Sequence, residues 1–112
     1  MSGVSSDRDL RLADNESVFR DINEAIASGQ WPGEPDAPVG FRCECAQLGC
    51  SDVIELTPRE YERIRSDGRR FVVAVGHELP AAERVLKATP GYLIVEKRGE
   101  TGERAEENDV RD

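Results

Sequence analysis

The sequence has few aromatic residues, a single histidine and no long apolar run. Aromatic residues make up 5% and apolar residues 38% of the 112 positions, below the roughly 45–50% apolar content of typical globular chains. This composition predicts one domain with one modest core. No segment approaches the roughly 20 apolar residues of a membrane helix, and the first residues lack the basic start and apolar stretch of a secretory signal. We therefore expect a cytosolic protein without a membrane partner.

Lysine is scarce as well, because only two of the 15 basic residues are lysine, and 23 acidic residues give a net charge of −8. The acidic excess lies at the ends. Residues 1–40 contain 8 acidic and 3 basic residues, residues 98–112 contain 6 and 3, and residues 41–97 contain nine of each. A chain with this charge is not expected to bind phosphate backbones tightly without sequence preference.

The ends also lack the residues that build a core. Met1–Arg11 is rich in Ser and Asp and has no aromatic or β-branched apolar residue except Val4, and after Arg98 the only apolar residues are Ala105 and Val110. Such segments cannot bury enough apolar surface to offset their ordering entropy. We predict a disordered N terminus over 1–13, a single metal-stabilised α+β domain over 14–97, and a disordered acidic tail over 98–112.

The first element predicted is a helix over Asn15–Ser28. Apolar residues spaced three and four apart predict its buried face: Val18, Phe19, Ile22, Ala25 and Ile26. A connector rich in Pro and Gly follows over Trp31–Gly40, and Trp31 is predicted to pack against the core.

Strand-like residues flank a cysteine-bearing loop in the middle of the chain. Phe41–Cys45 and Val53–Leu56 read as strands around residues 46–52, which predicts a hairpin resembling a zinc knuckle. Thr57, Pro58 and Glu60 then form a capping box that begins a helix ending near Ser66. Tyr61 and Ile64 would face the core, and three arginines would face water: Arg59, Arg63 and Arg65.

The second half of the chain is predicted to be mainly strand. Phe71–Val75 is a β-branched apolar run typical of a buried strand. Residues 83–89 fit either a short helix or the first arm of a hairpin that returns over Tyr92–Lys97, and we favour the hairpin. The predicted fold class is α+β, with an N-terminal helix and one central helix on a small, mainly antiparallel sheet.

One group of residues carries chemistry. Cys43 and Cys45 are two apart, so their thiols leave a strand on the same face, and the following turn returns Cys50 towards them. A tetrahedral ion needs a fourth ligand, and His77 is the only histidine. Gly76 before it allows a sharp backbone turn. We predict a closed structural Cys3His site holding one Zn²⁺ per chain.

Other interpretations of these residues stay open. A mononuclear tetrahedral site rich in thiolates also suits iron. The cysteines could instead be small core residues, with His77 an ordinary loop histidine. A third interpretation is a redox sensor or thiol enzyme, in which His77 lowers the pKa of the Cys50 thiol.

Arginines between residues 59 and 70 form the densest basic stretch, which could indicate nucleic-acid binding. Acidic residues are interleaved with them, and this pattern is typical of a solvated face with local ion pairs. We therefore favour another protein over nucleic acid as the partner.

A wider pattern covers about half of the chain. It consists of Phe41-Arg42-Cys43-Glu44-Cys45, Cys50, Leu56-Thr57 with Glu60-Tyr61, Phe71-Val72-Val73, Gly76-His77-Glu78, Glu83-Arg84-Val85 and Val95-Glu96-Lys97. The pattern resembles small uncharacterised actinobacterial proteins. The resemblance implies a bacterial cytosolic protein and joins the three cysteines and His77 in one motif. With no catalytic set visible, we expect a non-enzymatic adaptor or regulatory module that binds another protein.

Overall fold

The computed structural model describes residues 2–30, 35–45 and 50–109. Helix α1 spans Ser2–Gln30, followed by strands β1 (Val39–Arg42) and β2 (Val53–Leu56) and helix α2 (Pro58–Ile64). Strands β3 (Arg70–Val73), β4 (Glu83–Ala88) and β5 (Leu93–Lys97) precede helix α3 (Gly99–Glu107). The predicted α+β class is confirmed. Among the described residues, no helix is both long and apolar enough to span a membrane.

The strands form two antiparallel sheets. Strands β1 and β2 pair as the predicted hairpin, and a second sheet has the order β3-β5-β4. The hairpin interpretation of residues 83–97 is therefore confirmed. The two sheets are joined at Glu44, whose backbone N–H donates to the Val72 carbonyl at 2.8 Å. This contact brings the cysteine segment against β3.

Helix α2 begins as its sequence predicts. The Thr57 side chain accepts from the Glu60 amide at 3.0 Å, and the Glu60 carboxylate accepts from the Thr57 amide at 2.9 Å. Tyr61 and Ile64 are buried, and the Tyr61 ring stacks on Phe41 with ring centroids 4.6 Å apart. The expectation that Arg65 faces water is wrong. Its side chain is buried and pairs with acidic residues on both sides.

Both predicted ends differ from the structure. Helix α1 begins at Ser2, and the first proline is Pro32, so nothing in the preceding sequence interrupts a helix. The prediction of a disordered tail after Arg98 is wrong for residues 99–107. They form α3, in which Ala105 is fully buried against the rest of the fold. Residues 99–107 therefore pack against the rest of the described fold.

The buried face of α1 agrees with the prediction only in part. Phe19 is buried and Ile26 is partly buried against the core, as predicted. Val18 and Ile22 are exposed, with 58% and 39% of their surface accessible, whereas Arg20 and Asn23 are fully buried. These polar residues are accommodated because each has hydrogen-bond partners in the core. The predicted packing of Trp31 and part of the cysteine-bearing loop, residues 46–49, lie outside the described residues.

Candidate metal centre

Three separate segments supply a group of metal-ligating side chains. Cys43 and Cys45 follow β1, Cys50 precedes β2, and His77 follows β3. One ligand atom from each of the four side chains lies within 4.8 Å of all the others. The four residues singled out from the sequence thus form a Cys3His group that is close enough to bind a metal ion.

Two of the distances within the group match those of a tetrahedral shell. His77 Nδ1 lies 3.5 Å from the Sγ atoms of both Cys43 and Cys50. Bond lengths of about 2.3 Å to sulfur and 2.0–2.1 Å to nitrogen, at the tetrahedral angle, put S and N about 3.6 Å apart. His77 Nδ1 is therefore spaced from the Cys43 and Cys50 sulfurs as two ligands of one such ion would be.

A tight turn delivers His77 to the cysteines. The His77 N–H donates to the Ala74 carbonyl at 3.0 Å, and Gly76 has φ 89°. A positive φ at the third position is the requirement of a type II turn, and glycine meets it without strain. At the start of this turn, the Ala74 N–H donates to Cys43 Sγ at 3.1 Å. The same turn thus supplies one ligand and a hydrogen bond to another.

Asp52 completes the surroundings of His77. Its Oδ2 lies 3.4 Å from His77 Nε2, the ring nitrogen that does not face the sulfurs. A carboxylate on the outer nitrogen favours the tautomer with the proton on Nε2, which leaves Nδ1 free to bind a metal ion. Sequence reasoning gave Asp52 no role, although an acidic residue two positions after Cys50 was a visible signal.

Glu44 lies between two of the cysteines and connects them to the core. Its Oε2 accepts from Tyr61 Oη at 2.6 Å and from Asn23 Nδ2 at 2.8 Å, and its Oε1 accepts from the Val72 amide at 3.0 Å. The residue is fully buried. A single buried carboxylate therefore ties the cysteine segment to α1, α2 and β3. The sequence does not reveal this role, because its partners are 17 to 28 positions away.

Arg42 and Asn23 hold the same segment to α1. Asn23 Nδ2 donates to the Arg42 carbonyl at 2.8 Å, and the Arg42 N–H donates to Asn23 Oδ1 at 2.7 Å. The Arg42 guanidinium donates to the Cys50 carbonyl at 3.3 Å. This contact ties the Arg42 side chain to the backbone of one of the cysteines.

Burial controls the protonation of the groups around the site. It raises the pKa of the Cys43 thiol, although the Ala74 and Cys45 amides lower it by favouring the thiolate. It also raises the pKa of Glu44, against the hydrogen bonds from Tyr61 and Asn23. A divalent cation reverses the effect of burial on a thiol, because it deprotonates the sulfur that it binds.

The basic stretch around α2 is largely engaged in ion pairs. Arg59 Nε lies 2.7 Å from Asp36 Oδ1. Arg65 contacts Glu24 at 3.0 Å as well as Asp109, and Arg69 contacts Glu106 at 3.1 Å. These pairs are the local ion pairs expected from the interleaved charges.

No protein-family model matches this chain, and no curated protein or solved structure shows significant similarity to it. The geometry of its own residues is therefore the basis for interpreting the site.

Proposed function

We propose that this chain is a zinc-binding, non-enzymatic module that holds one structural Zn²⁺ through Cys43, Cys45, Cys50 and His77. The observation that carries the proposal is the placement of His77 Nδ1 at 3.5 Å from two cysteine sulfurs, as a tetrahedral zinc shell requires. Three thiolates and one imidazole are a donor set typical of structural zinc.

Four protein ligands would close the shell and leave no position for water or substrate, which is why the proposed role is structural. The ion would join the end of β1, the start of β2 and the turn after β3. Since these segments come from two sheets, the binding free energy would contribute directly to folding.

Elemental mass spectrometry on untagged protein, with thiol titration before and after chelation, tests this proposal. We expect one zinc per chain and thiols that react only after chelation. Cys45→Ser should lower the melting temperature sharply. Val53→Ser is the matched control, because Val53 lies on the same hairpin but is 64% exposed. Metal-free protein with an unchanged melting temperature in Cys45→Ser would refute a structural zinc, and iron in place of zinc would refute the assignment of the ion.

We further propose that the module acts by binding another protein in the cytosol, where reducing conditions keep the thiols available. The support is the proposed metal shell, which would have no open position, and a helix that leaves Val18 and Ile22 exposed. Two apolar side chains four positions apart lie on one helix face, which is the spacing of anchors in helices that dock into an apolar groove.

A pull-down with the intact zinc-loaded chain, compared with the double variant Val18→Glu and Ile22→Glu, tests partner binding. The variant should fold normally, because both side chains are exposed, and it should lose the bound protein. A control pair with the same charge change, Val53→Glu and Val85→Glu, alters residues that are exposed elsewhere and should retain it. Equal recovery by all three proteins, or a purified chain that turns over a substrate, would contradict the adaptor role.

One observation favours a second candidate, a thiol-based redox sensor or enzyme. Cys50 is only partly buried, and its sulfur lies 3.5 Å from His77 Nδ1, which is close enough for the imidazole to accept the thiol proton. Alkylation at pH 7 distinguishes the two functions. Fast modification of Cys50 in zinc-loaded protein would support thiol chemistry, whereas a protected Cys50 would support the structural site.

The third function considered, nucleic-acid binding, has less support. Arg59, Arg65 and Arg69 each have an acidic partner, so few cations in this stretch remain to contact phosphates. Nucleic-acid binding would be favoured over protein binding if the chain bound DNA or RNA with a salt-sensitive affinity. That affinity should fall when Arg63 and Arg69 are replaced.

A further inference from the structure

A cavity lies between α2 and the face of the three-stranded sheet. It is a cavity of about 450 Å³, within the roughly 300–1,000 Å³ of sites that bind small molecules. Its apolar lining comes from Ile64 on α2, Leu86 on β4, and Tyr92 and Ile94 at β5. None of the four metal-ligating residues lines it, so this cavity is separate from the candidate metal centre.

A β-bulge shapes the wall of this cavity. Val85 pairs with Val95 and Lys87 pairs with Ile94, so Leu86 is an extra residue in β4. In a regular strand, neighbouring side chains point to opposite faces. Leu86 and Lys87 nevertheless both line the cavity, because a bulge redirects side chains. The bulge therefore places an apolar residue and a cation side by side.

The cavity is positively charged within an acidic protein. Arg63, Arg70 and Lys87 line it together with one acidic residue, Glu60. The Glu60 carboxylate already accepts the Thr57 amide of the capping box. The chain as a whole has a net charge of −8, so this local excess of cations is distinct from the overall charge.

The three cations at the cavity make few hydrogen bonds or close ion pairs with other described residues. Arg70 Nε is buried without a hydrogen-bond partner, and the nearest carboxylate oxygen, Asp67 Oδ2, is 3.9 Å away. For Arg63 and Lys87, the part of the chain that the structure describes provides no side-chain hydrogen bond or ion pair. A buried donor without an acceptor is costly unless a ligand or water satisfies it.

We propose that this cavity binds a small organic carboxylate with an apolar body, of the size of a medium-chain fatty acid. The carboxylate would lie against Arg63, Arg70 and Lys87, and the apolar body would pack on Ile64, Leu86 and Ile94. Charge-assisted contacts from arginine fix a carboxylate in orientation, and the apolar walls select against small, fully hydrated anions such as phosphate.

Calorimetric titration of the zinc-loaded full chain with decanoate tests the proposal. We expect saturable binding with one site per chain and displacement of the fluorescent probe 8-anilinonaphthalene-1-sulfonate. Decan-1-ol, which lacks the charge, should bind at least about tenfold more weakly. Amide chemical shifts should change at Leu86 and Ile94 and remain constant at Cys50 and His77.

Two double variants with the same charge change locate the binding site. Arg63→Gln with Lys87→Gln should weaken decanoate binding about tenfold. Arg59→Gln with Arg84→Gln alters the same two elements outside the cavity, where both arginines pair with acidic residues, and should change the affinity less than about twofold.

Several results would overturn the proposal. One is the absence of saturable decanoate binding below about 1 mM. Equal losses in the two double variants would indicate diffuse charge attraction, and equal affinity for decanol would indicate apolar contact alone. Displacement of the probe by an acidic peptide but not by decanoate would identify a peptide surface instead. Metal analysis of the same samples tests the proposed zinc site separately, so failure of the decanoate proposal can be distinguished from failure of the zinc proposal.

Discussion

At the scale of single residues, Glu44 shows how the candidate metal centre depends on the core. The residue stands between Cys43 and Cys45, but its carboxylate accepts hydrogen bonds from Tyr61, Asn23 and the Val72 amide. All three donors bond to this one buried carboxylate. Removing the carboxylate leaves them unsatisfied and lowers the free energy of unfolding by about 1–3 kcal/mol for each donor.

We predict that Glu44→Gln lowers the free energy of unfolding of the zinc-loaded protein by about 1.5–3 kcal/mol. An amide has one acceptor oxygen, so at least one of the three donors loses its partner. Zinc affinity should fall as well, because the cysteine segment is held less firmly. Glu55→Gln is the control, since Glu55 is exposed on β2, and it should have no measurable effect in urea denaturation. A similar loss in both variants would contradict this role of Glu44.

Gly76 allows a second prediction at this scale. Its φ of 89° is a conformation that other residues rarely adopt, and an added Cβ would meet no atom within 4 Å. The cost of Gly76→Ala is therefore backbone strain of about 1–2 kcal/mol, and zinc affinity should fall because the turn presents His77. Denaturation and a competition assay with a zinc chelator measure the two effects.

Gly91→Ala is the matched control for this substitution. Gly91 also has open space around it but does not have a positive φ, so alanine should be neutral or slightly stabilising there. If both substitutions had the same effect, the left-handed turn would not be what positions His77.

At the scale of elements, the apolar pattern of α1 predicts only part of its buried face, namely Phe19 and Ile26. The pattern placed Val18 and Ile22 inside, whereas the structure buries Arg20 and Asn23. Arg20 donates to the carbonyls of Gly68 and Ala105 at 2.6 and 2.8 Å and lies over the Phe71 ring. Partners this distant in sequence satisfy part of the buried guanidinium, and no local pattern reveals them.

We predict that Arg20→Leu lowers the free energy of unfolding by about 2–4 kcal/mol, because two backbone carbonyls lose their donor. Ile22→Ser on the same helix should cost less than about 0.5 kcal/mol, since Ile22 is an exposed position. Guanidinium denaturation of both variants tests the prediction, and the opposite ranking would restore the apolar face inferred from the sequence.

Other elements were predictable because their signals are local. The capping box of α2 and the hairpin of β4 and β5 each depend on residues close together in the chain. The clustering of the three cysteines with His77 was predictable because few residue types bind metal and the chain has one histidine. Helix α3 was not predictable, since its place depends on contacts such as Arg20 with Ala105, 85 positions apart.

At the scale of the whole molecule, buried charge links stability to pH. Lys97 forms ion pairs with Glu16 on α1 and Glu83 on β4, and all three side chains are almost completely buried. Burial raises the pKa of Glu16 well above its ordinary value of 4.5, and the attraction of Lys97 only partly offsets this effect. The neighbouring Glu83 carboxylate raises the pKa of Glu16 further.

Because Glu16 holds its proton more tightly in the folded protein, its contribution to stability is fully present below pH 4.5 and is lost as the pH rises through its raised pKa. In this interval the free energy of unfolding should fall by up to about 1.4 kcal/mol per pH unit. Glu16→Gln mimics the protonated form of the side chain. The difference in the free energy of unfolding between this variant and the wild-type protein should therefore shift in favour of the variant as the pH rises.

Urea denaturation of zinc-loaded protein from pH 6 upward measures this dependence without acid release of the metal. Glu100→Gln, an exposed position on α3, should show no such trend. A difference between Glu16→Gln and wild type that stays constant with pH would contradict the assignment.

The segment Cys43-Glu44-Cys45 has a consequence for how this protein can vary. Its odd positions present sulfur to the candidate metal centre, and its even position presents a carboxylate to Asn23 and Tyr61. Side chains alternate between two sides of an extended chain, so inserting or deleting one residue here would exchange the sides. The carboxylate would then face the candidate metal centre, and a thiol would face the helices. The position of the two sulfurs and the hydrogen bonds of the carboxylate together fix the spacing of this tripeptide. An insertion or deletion within it should therefore not be tolerated.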